Sequence, residues 1–155
     1  MAFRRVSKNR RGERGATAVE FAVILPVFVS LLFGIVEFAG AYSQKVDIRH
    51  GAREAARLAA VNYDPLDEAP AAQTATIVAA TCARMDDDST ADIRLTLEVA
   101  GDADVGDIAI VEVRRDYDAI TPFVSVSSTL TSQIDVRLER QATWSATVGW
   151  LACNP

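Results

Sequence analysis

The sequence predicts an α+β protein, in which a long N-terminal transmembrane helix continues into a globular domain with a short second helix and a small antiparallel sheet. Three observations carry this prediction. No charged residue occurs from Phe21 to Val36, a proline-free segment rich in Ala and Arg follows, and a two-residue alternation of apolar and polar side chains begins at Ile93. The length of 155 residues suits one ordinary domain.

The apolar run from Ala16 to Tyr42 is long enough to cross a bilayer. As a helix it measures about 40 Å, whereas the hydrocarbon core is about 30 Å thick. Glu20 and Glu37 lie about 25 Å apart along such a helix, so both carboxylates can sit near opposite interfaces. Pro26 is compatible with this prediction, because membrane helices tolerate proline. Glu20 still needs an explanation, since acids inside a span are rare and usually functional.

Basic residues crowd the start of the chain. Residues 1–15 contain six Lys or Arg and one acid, so the remainder carries −10 (the chain's −5 minus the +5 of this segment). Such an acidic body is unsuited to nucleic acid, and a basic block before a span is typical of cytoplasmic flanks. We therefore predict a basic leader at 1–15, a single-pass inner-membrane span at 16–42, and an exported body. A cleaved secretory signal ending at Ala39-Gly40-Ala41 is the competing interpretation, but the run exceeds the usual length and ends in a charge.

Residues 43–61 predict an extracytoplasmic continuation of the same helix. One face is apolar at helical spacing, and a basic stripe recurs every four residues at Lys45, Arg49, Arg53 and Arg57. Like charges at this spacing repel slightly. Two interpretations stay open: a solvated helix face, or a docking stripe for acidic surface on the same chain or on a neighbour.

The remainder, 62–155, predicts a small α+β domain. A loop at 62–70 with two prolines precedes a short helix at 71–85. Strand patterns follow at 93–99, at 108–117 and, after a loop and a Ser/Thr-rich stretch, at 134–144.

No constellation of catalytic or metal-binding residues is apparent. The single histidine, His50, lies among arginines without a second ligand at metal-binding spacing, and predicts a surface residue. The segment "GDADVGD" has Val113 where a calcium loop needs its closing glutamate, so a Gly/Asp turn is favoured. We predict no enzyme activity, no metal and no cofactor.

The two cysteines, Cys82 and Cys153, suggest a disulfide if the body is exported. A bond between them would close a loop of about 70 residues, and closing such a loop stabilises a fold by about 4 kcal/mol in the chain-entropy estimate. Two free buried cysteines are the alternative.

The segments "RGATAVEFAVILPVFVSLLFGIVEFAGAY", "GAREAAR" and "DYDAITPF" together resemble the TadE-like family, the minor pseudopilins of the tight-adherence (Flp-type) pilus. The resemblance implies a pilin-like domain and cleavage by a prepilin peptidase after Gly15. Ala16 would then start the mature chain, with Glu20 its fifth and Phe21 its sixth residue. In type IV pilins that glutamate neutralises the new amine of an adjoining subunit.

The implied function is assembly or priming of the pilus. The implied partners are the bilayer, the prepilin peptidase, other pilins and the pilus assembly platform. The alternative function is a permanently anchored surface or adhesion module whose first 15 residues are never removed.

Overall fold

The computed structural model describes residues 11–85, 91–98, 103–121 and 127–153, with side chains from Gly15 onward. The chain divides into two compact units, one ending at Phe38 and the other beginning at Ala39. A long helix, a short helix and a four-stranded antiparallel sheet make up the described residues, so the predicted α+β class is confirmed.

The first helix, α1, spans Arg11–Ala60 and passes through Pro26 without a break. Ser30 Oγ donates to the Pro26 carbonyl at 2.8 Å, which adds a hydrogen bond next to the proline. In the first unit the large apolar side chains of α1 are mostly exposed. An apolar surface of this size requires a nonaqueous environment or a partner.

In the second unit, α1 buries the apolar face that the sequence predicts. Ile48, Ala52, Ala55 and Ala59 are fully buried. Gly51 belongs to the same face, because a Cβ built there would lie 2.4 Å from Met85 Sδ. Small residues therefore allow the other elements to approach the helix closely.

The second helix, α2, spans Pro70–Cys82 and begins with its proline in the first turn, where the missing N–H is not needed. It ends three residues before the predicted end at 85. Its buried residues include Gln73, Thr74 and Ile77. Asn62, just beyond α1, has a φ of 54° and accepts a hydrogen bond from Gln73 Nε2 at 2.9 Å. Asn62 therefore links the end of α1 to α2.

The sheet contains β1 (Ala91–Leu97), β2 (Ile108–Asp118), β3 (Ser127–Arg137) and β4 (Leu151–Ala152). Their spatial order is β3-β2-β1-β4, and all pairs are antiparallel. Alternate residues of β1 and β2, among them Ile93, Leu95, Val111 and Val113, are fully buried against the helices. The other residues of these strands form the outer sheet face.

The limits predicted for the third strand were wrong. The predicted strand at 134–144 is replaced by β3, which begins in the Ser/Thr-rich stretch and ends at Arg137. Trp144 lies beyond it and is buried, and its indole Nε1 donates to the Ala59 carbonyl at 3.2 Å. β3 is an edge strand with many exposed positions, so polar residues suffice there.

Candidate functional site

The predicted processing residues lie on the N-terminal part of α1. Gly15, Ala16, Glu20 and Phe21 are all exposed, and a Cβ at Gly15 would meet nothing within 4 Å. Helical rise places Ala16 and Glu20 about 6 Å apart along the axis. An amine at Ala16 and the Glu20 carboxylate would therefore flank one helical turn.

The helix that carries these residues is long and apolar enough to cross a membrane from Gly15 onward. None of the 18 residues in the most apolar stretch of this helix is buried. A core helix of a soluble protein would instead be covered by its own fold. The one N-terminal apolar helix thus fits a single-pass membrane protein.

In the second unit, a buried ion pair connects α1 to the sheet. Arg115 of β2 is 1% exposed, and its Nη1 donates to Asp47 Oδ2 at 2.8 Å. The remaining donors of this guanidinium, Nε and Nη2, have no hydrogen-bond partner among the described residues. The sequence pattern did not predict this pair, although Arg115 occupies an inward position of the β2 alternation.

The basic stripe does not behave as one unit. Lys45 Nζ donates to the Thr131 carbonyl of β3, and Arg57 pairs with Glu54 at 2.7 Å. The hydrogen bond from Arg57 lowers the pKa of Glu54, and the same contact raises the pKa of Arg57. Arg49 and Arg53 are exposed, and no described acid of this chain pairs with either.

The outer sheet face carries two cross-strand ion pairs under one aromatic ring. Arg114 pairs with Asp92 at 2.9 Å, and Arg94 pairs with Glu112. The Trp150 ring centroid lies 4.2 Å from Arg114 Cζ and 4.9 Å from Arg94 Cζ. These cation–π contacts hold the C-terminal tail on the sheet. No sequence signal pointed to this role of Trp150.

Cys82 and Cys153 form a disulfide that joins α2 to the tail, with a Cα–Cα distance of 5.5 Å. Two free cysteines are therefore excluded. Next to the bond, the Cys153 N–H donates to the Ala91 carbonyl at 2.9 Å, and the Thr147 N–H donates to the Leu95 carbonyl at 2.8 Å. The tail thus covers the edge of β1.

The described part of the chain holds no group of three His, Cys, Asp or Glu residues suited to a metal ion. Near the predicted turn, Gly106 has a φ of 99° and the Asp104 N–H donates to Asp107 Oδ2 at 2.9 Å. These local bonds define a turn, as predicted. His50 is exposed, which confirms it as a surface residue.

The segment that matches a known protein family begins at Gly15, the predicted cleavage glycine. Residues 15–57 match the family model of TadE-like proteins. The resemblance is confirmed for this segment. The likeness is to a family associated with the Tad pilus, and it covers 43 of the 155 residues of the chain.

The match does not include "DYDAITPF", so the resemblance of this segment stays a prediction. Pro122 and Phe123 of this segment lie outside the described residues. The chain matches no curated protein and no solved structure.

Proposed function

We propose that the protein is a minor pseudopilin, processed by a prepilin peptidase, that assembles or primes a tight-adherence pilus. The observation that carries this proposal is the TadE-like match, which begins at Gly15 and includes Glu20. The exposed apolar surface of α1 supports it, because a pilin helix needs lipid before assembly and other helices afterwards.

The proposed arrangement assigns a role to each part of the chain. Residues 1–15 are a cytoplasmic leader, 16–42 span the inner membrane, 43–61 extend the helix outside, and 62–155 form the exported pilin-like domain. The disulfide suits an oxidising compartment beyond the membrane. The partners are lipid, the peptidase, other pilins and the assembly platform.

The proposed chemistry depends on charge. Cleavage after Gly15 would create an ammonium at Ala16, and Glu20 of an adjoining subunit would neutralise it. An unpaired charge in lipid or in a helix bundle is strongly unfavourable, whereas a paired charge is tolerated. Glu20 would thereby fix the axial register between neighbours. Gly15 lies within α1, so cleavage needs local unwinding, which glycine makes easier.

The alternative is a permanently anchored surface module that keeps its first 15 residues. Such an anchor has no use for an acid at Glu20, because any apolar residue there would hold the membrane better. The position of Glu20, five residues after Gly15, favours the pseudopilin.

Processing is the first prediction. When the full chain is expressed with its prepilin peptidase, residues 1–15 should be removed, and Gly15→Val should block the removal because a branched side chain crowds the scissile backbone. Intact mass and N-terminal sequencing of the membrane-extracted protein measure the outcome.

Gly34→Val is the matched control for this experiment, since Gly34 lies in the same helix with equally open surroundings. This variant should still begin at Ala16. An unprocessed wild-type chain in its native host would refute the pseudopilin and favour the permanent anchor.

A further inference from the structure

Two pairs of exposed, like-charged residues in the second unit, one basic and one acidic, form no ion pair with a described residue. On α1 these are Arg49 and Arg53, which together we call the basic face. On the outer sheet face these are Asp116 and Asp118 of β2, which together we call the acidic face. All four side chains are exposed, and no described residue forms a salt bridge with any of them.

The surrounding charges are already satisfied within the chain. Arg57 pairs with Glu54 beside the basic face, and Arg114 pairs with Asp92 beside the acidic face. The acidic face is also held in place, because Thr129 Oγ1 donates to Asp116 Oδ1 at 2.7 Å. Neither of these neighbouring ion pairs therefore neutralises the charges of the two faces.

The two faces match in spacing as well as in charge. Arg49 and Arg53 are one helical turn apart, about 6 Å along α1. Asp116 and Asp118 are two residues apart on the same side of a strand, about 6.7 Å. Two arginines and two carboxylates at this spacing can form a pair of parallel ion pairs, which fix register as well as attract.

We propose that the basic face of one copy docks on the acidic face of a second copy. The contact is heterologous, because each copy uses a different surface. A joined pair keeps the acidic face of the first copy and the basic face of the second copy free, so the contact can propagate through further copies.

The fold also sets the axial offset between the two copies. β2 runs past α1 so that Arg115 contacts Asp47, and a Cβ at Gly40 would lie 3.6 Å from the Tyr117 hydroxyl. The acidic face therefore lies level with α1 between residues 40 and 47. The basic face lies about seven residues further along, or about 10 Å. Neighbouring copies would be staggered by that distance with their helices parallel.

A charge-exchange experiment tests this interface. Two full-length copies with different tags are produced in the same membrane, extracted in mild detergent and co-purified. One variant carries Arg49→Glu and Arg53→Glu, and the other carries Asp116→Arg and Asp118→Arg. When both copies carry the same pair of changes, co-purification should be lost, because every contact then joins like charges.

A mixture of the two variants should restore co-purification, because each reversed face then meets its opposite on the other variant. Asp135→Arg is the matched control: it reverses an exposed acid on the same sheet face, about 20 Å along β3 from Thr129, and should leave co-purification unchanged. Retention of the Cys82–Cys153 bond on non-reducing gels checks the fold of every variant.

The remaining outcomes overturn the proposal. Loss of co-purification without rescue in the mixture would identify another partner, either a different protein or anionic lipid. Unchanged co-purification in both variants, or none between wild-type copies, would show that these faces do not join two copies.

Discussion

At the scale of single residues, Arg115 shows how a buried charge organises the second unit. Removing a guanidinium from water is unfavourable, and Asp47 compensates with one close hydrogen bond. Nε and Nη2 gain no described partner, so the pair adds orientation between α1 and β2 more than it adds stability. The pairing joins residues 68 positions apart, and the local pattern could place Arg115 inward without naming Asp47.

We expect Asp47→Ala to lower the free energy of unfolding by about 3–5 kcal/mol, because it leaves a buried cation without its counter-charge. The double variant with Arg115→Met should lose less than Asp47→Ala alone, since methionine fills similar space without a charge. Chemical unfolding of the detergent-solubilised protein measures both values. A double variant at least as unstable as the single one would show that the Arg115 charge is not the source of the loss.

At the scale of elements, the helices and strands with a regular spacing of apolar residues were the ones that the sequence predicted. The inward positions of β1 and the apolar face of α1 were predicted, because burial on one side imposes a period of two or about 3.6. The third strand was predicted at the wrong residues. An exposed edge strand tolerates a Ser/Thr sequence, so β3 lacks the apolar alternation on which the prediction depended. β4 has only two residues and exists through its pairing with β1, so no periodicity could reveal it. Of the candidate site, the residues of the N-terminal motif were recognisable, whereas the partners formed by tertiary contacts were not.

The disulfide that joins the C-terminal tail to α2 should stabilise the second unit. Cys153→Ser should lower the free energy of unfolding by about 4 kcal/mol, because the bond closes a loop with a sequence separation of 71. Cys82→Ser should lower the free energy of unfolding by the same amount. Each of the two variants should abolish the shift in gel mobility that reduction causes.

Trp150→Ala is the control for the tail, because it removes the two cation–π contacts and leaves the disulfide. Its loss should be smaller, about 1–2 kcal/mol. Ready labelling of free thiols in protein taken from the cell surface would contradict the disulfide.

At the scale of the whole molecule, charge is distributed by region along the chain. Six basic residues precede the span, no charge interrupts residues 21–36, and the remainder beyond residue 15 carries −10. A basic segment in front of an apolar helix favours retention of that segment in the cytoplasm. Its removal would change the molecule from a basic-headed membrane protein to an acidic one with a new amine at the head of the helix. Under the proposed function, Glu20 is the group that meets this amine.

Glu20→Gln separates cleavage from assembly. Glutamine keeps the shape and the helix but removes the charge, and position 20 lies beyond the scissile bond. Processing after Gly15 should therefore proceed largely as in the wild type. Crosslinking to partner pilins and cell attachment should fall, because one ammonium in the assembled helices would lose its counter-charge at several kcal/mol. Glu20→Lys should be worse still, since it adds repulsion.

Membrane extracts of each variant are compared for processed mass, for crosslinked species and for attachment of the cells. A processed Glu20→Gln chain that crosslinks and attaches normally would refute the pairing and leave Glu20 as an interfacial residue. A chain that is no longer processed would instead place Glu20 in the recognition site of the peptidase. Reduced assembly with intact processing is the result expected if Glu20 pairs with the amine of a neighbour, because only that role begins after the leader has been removed.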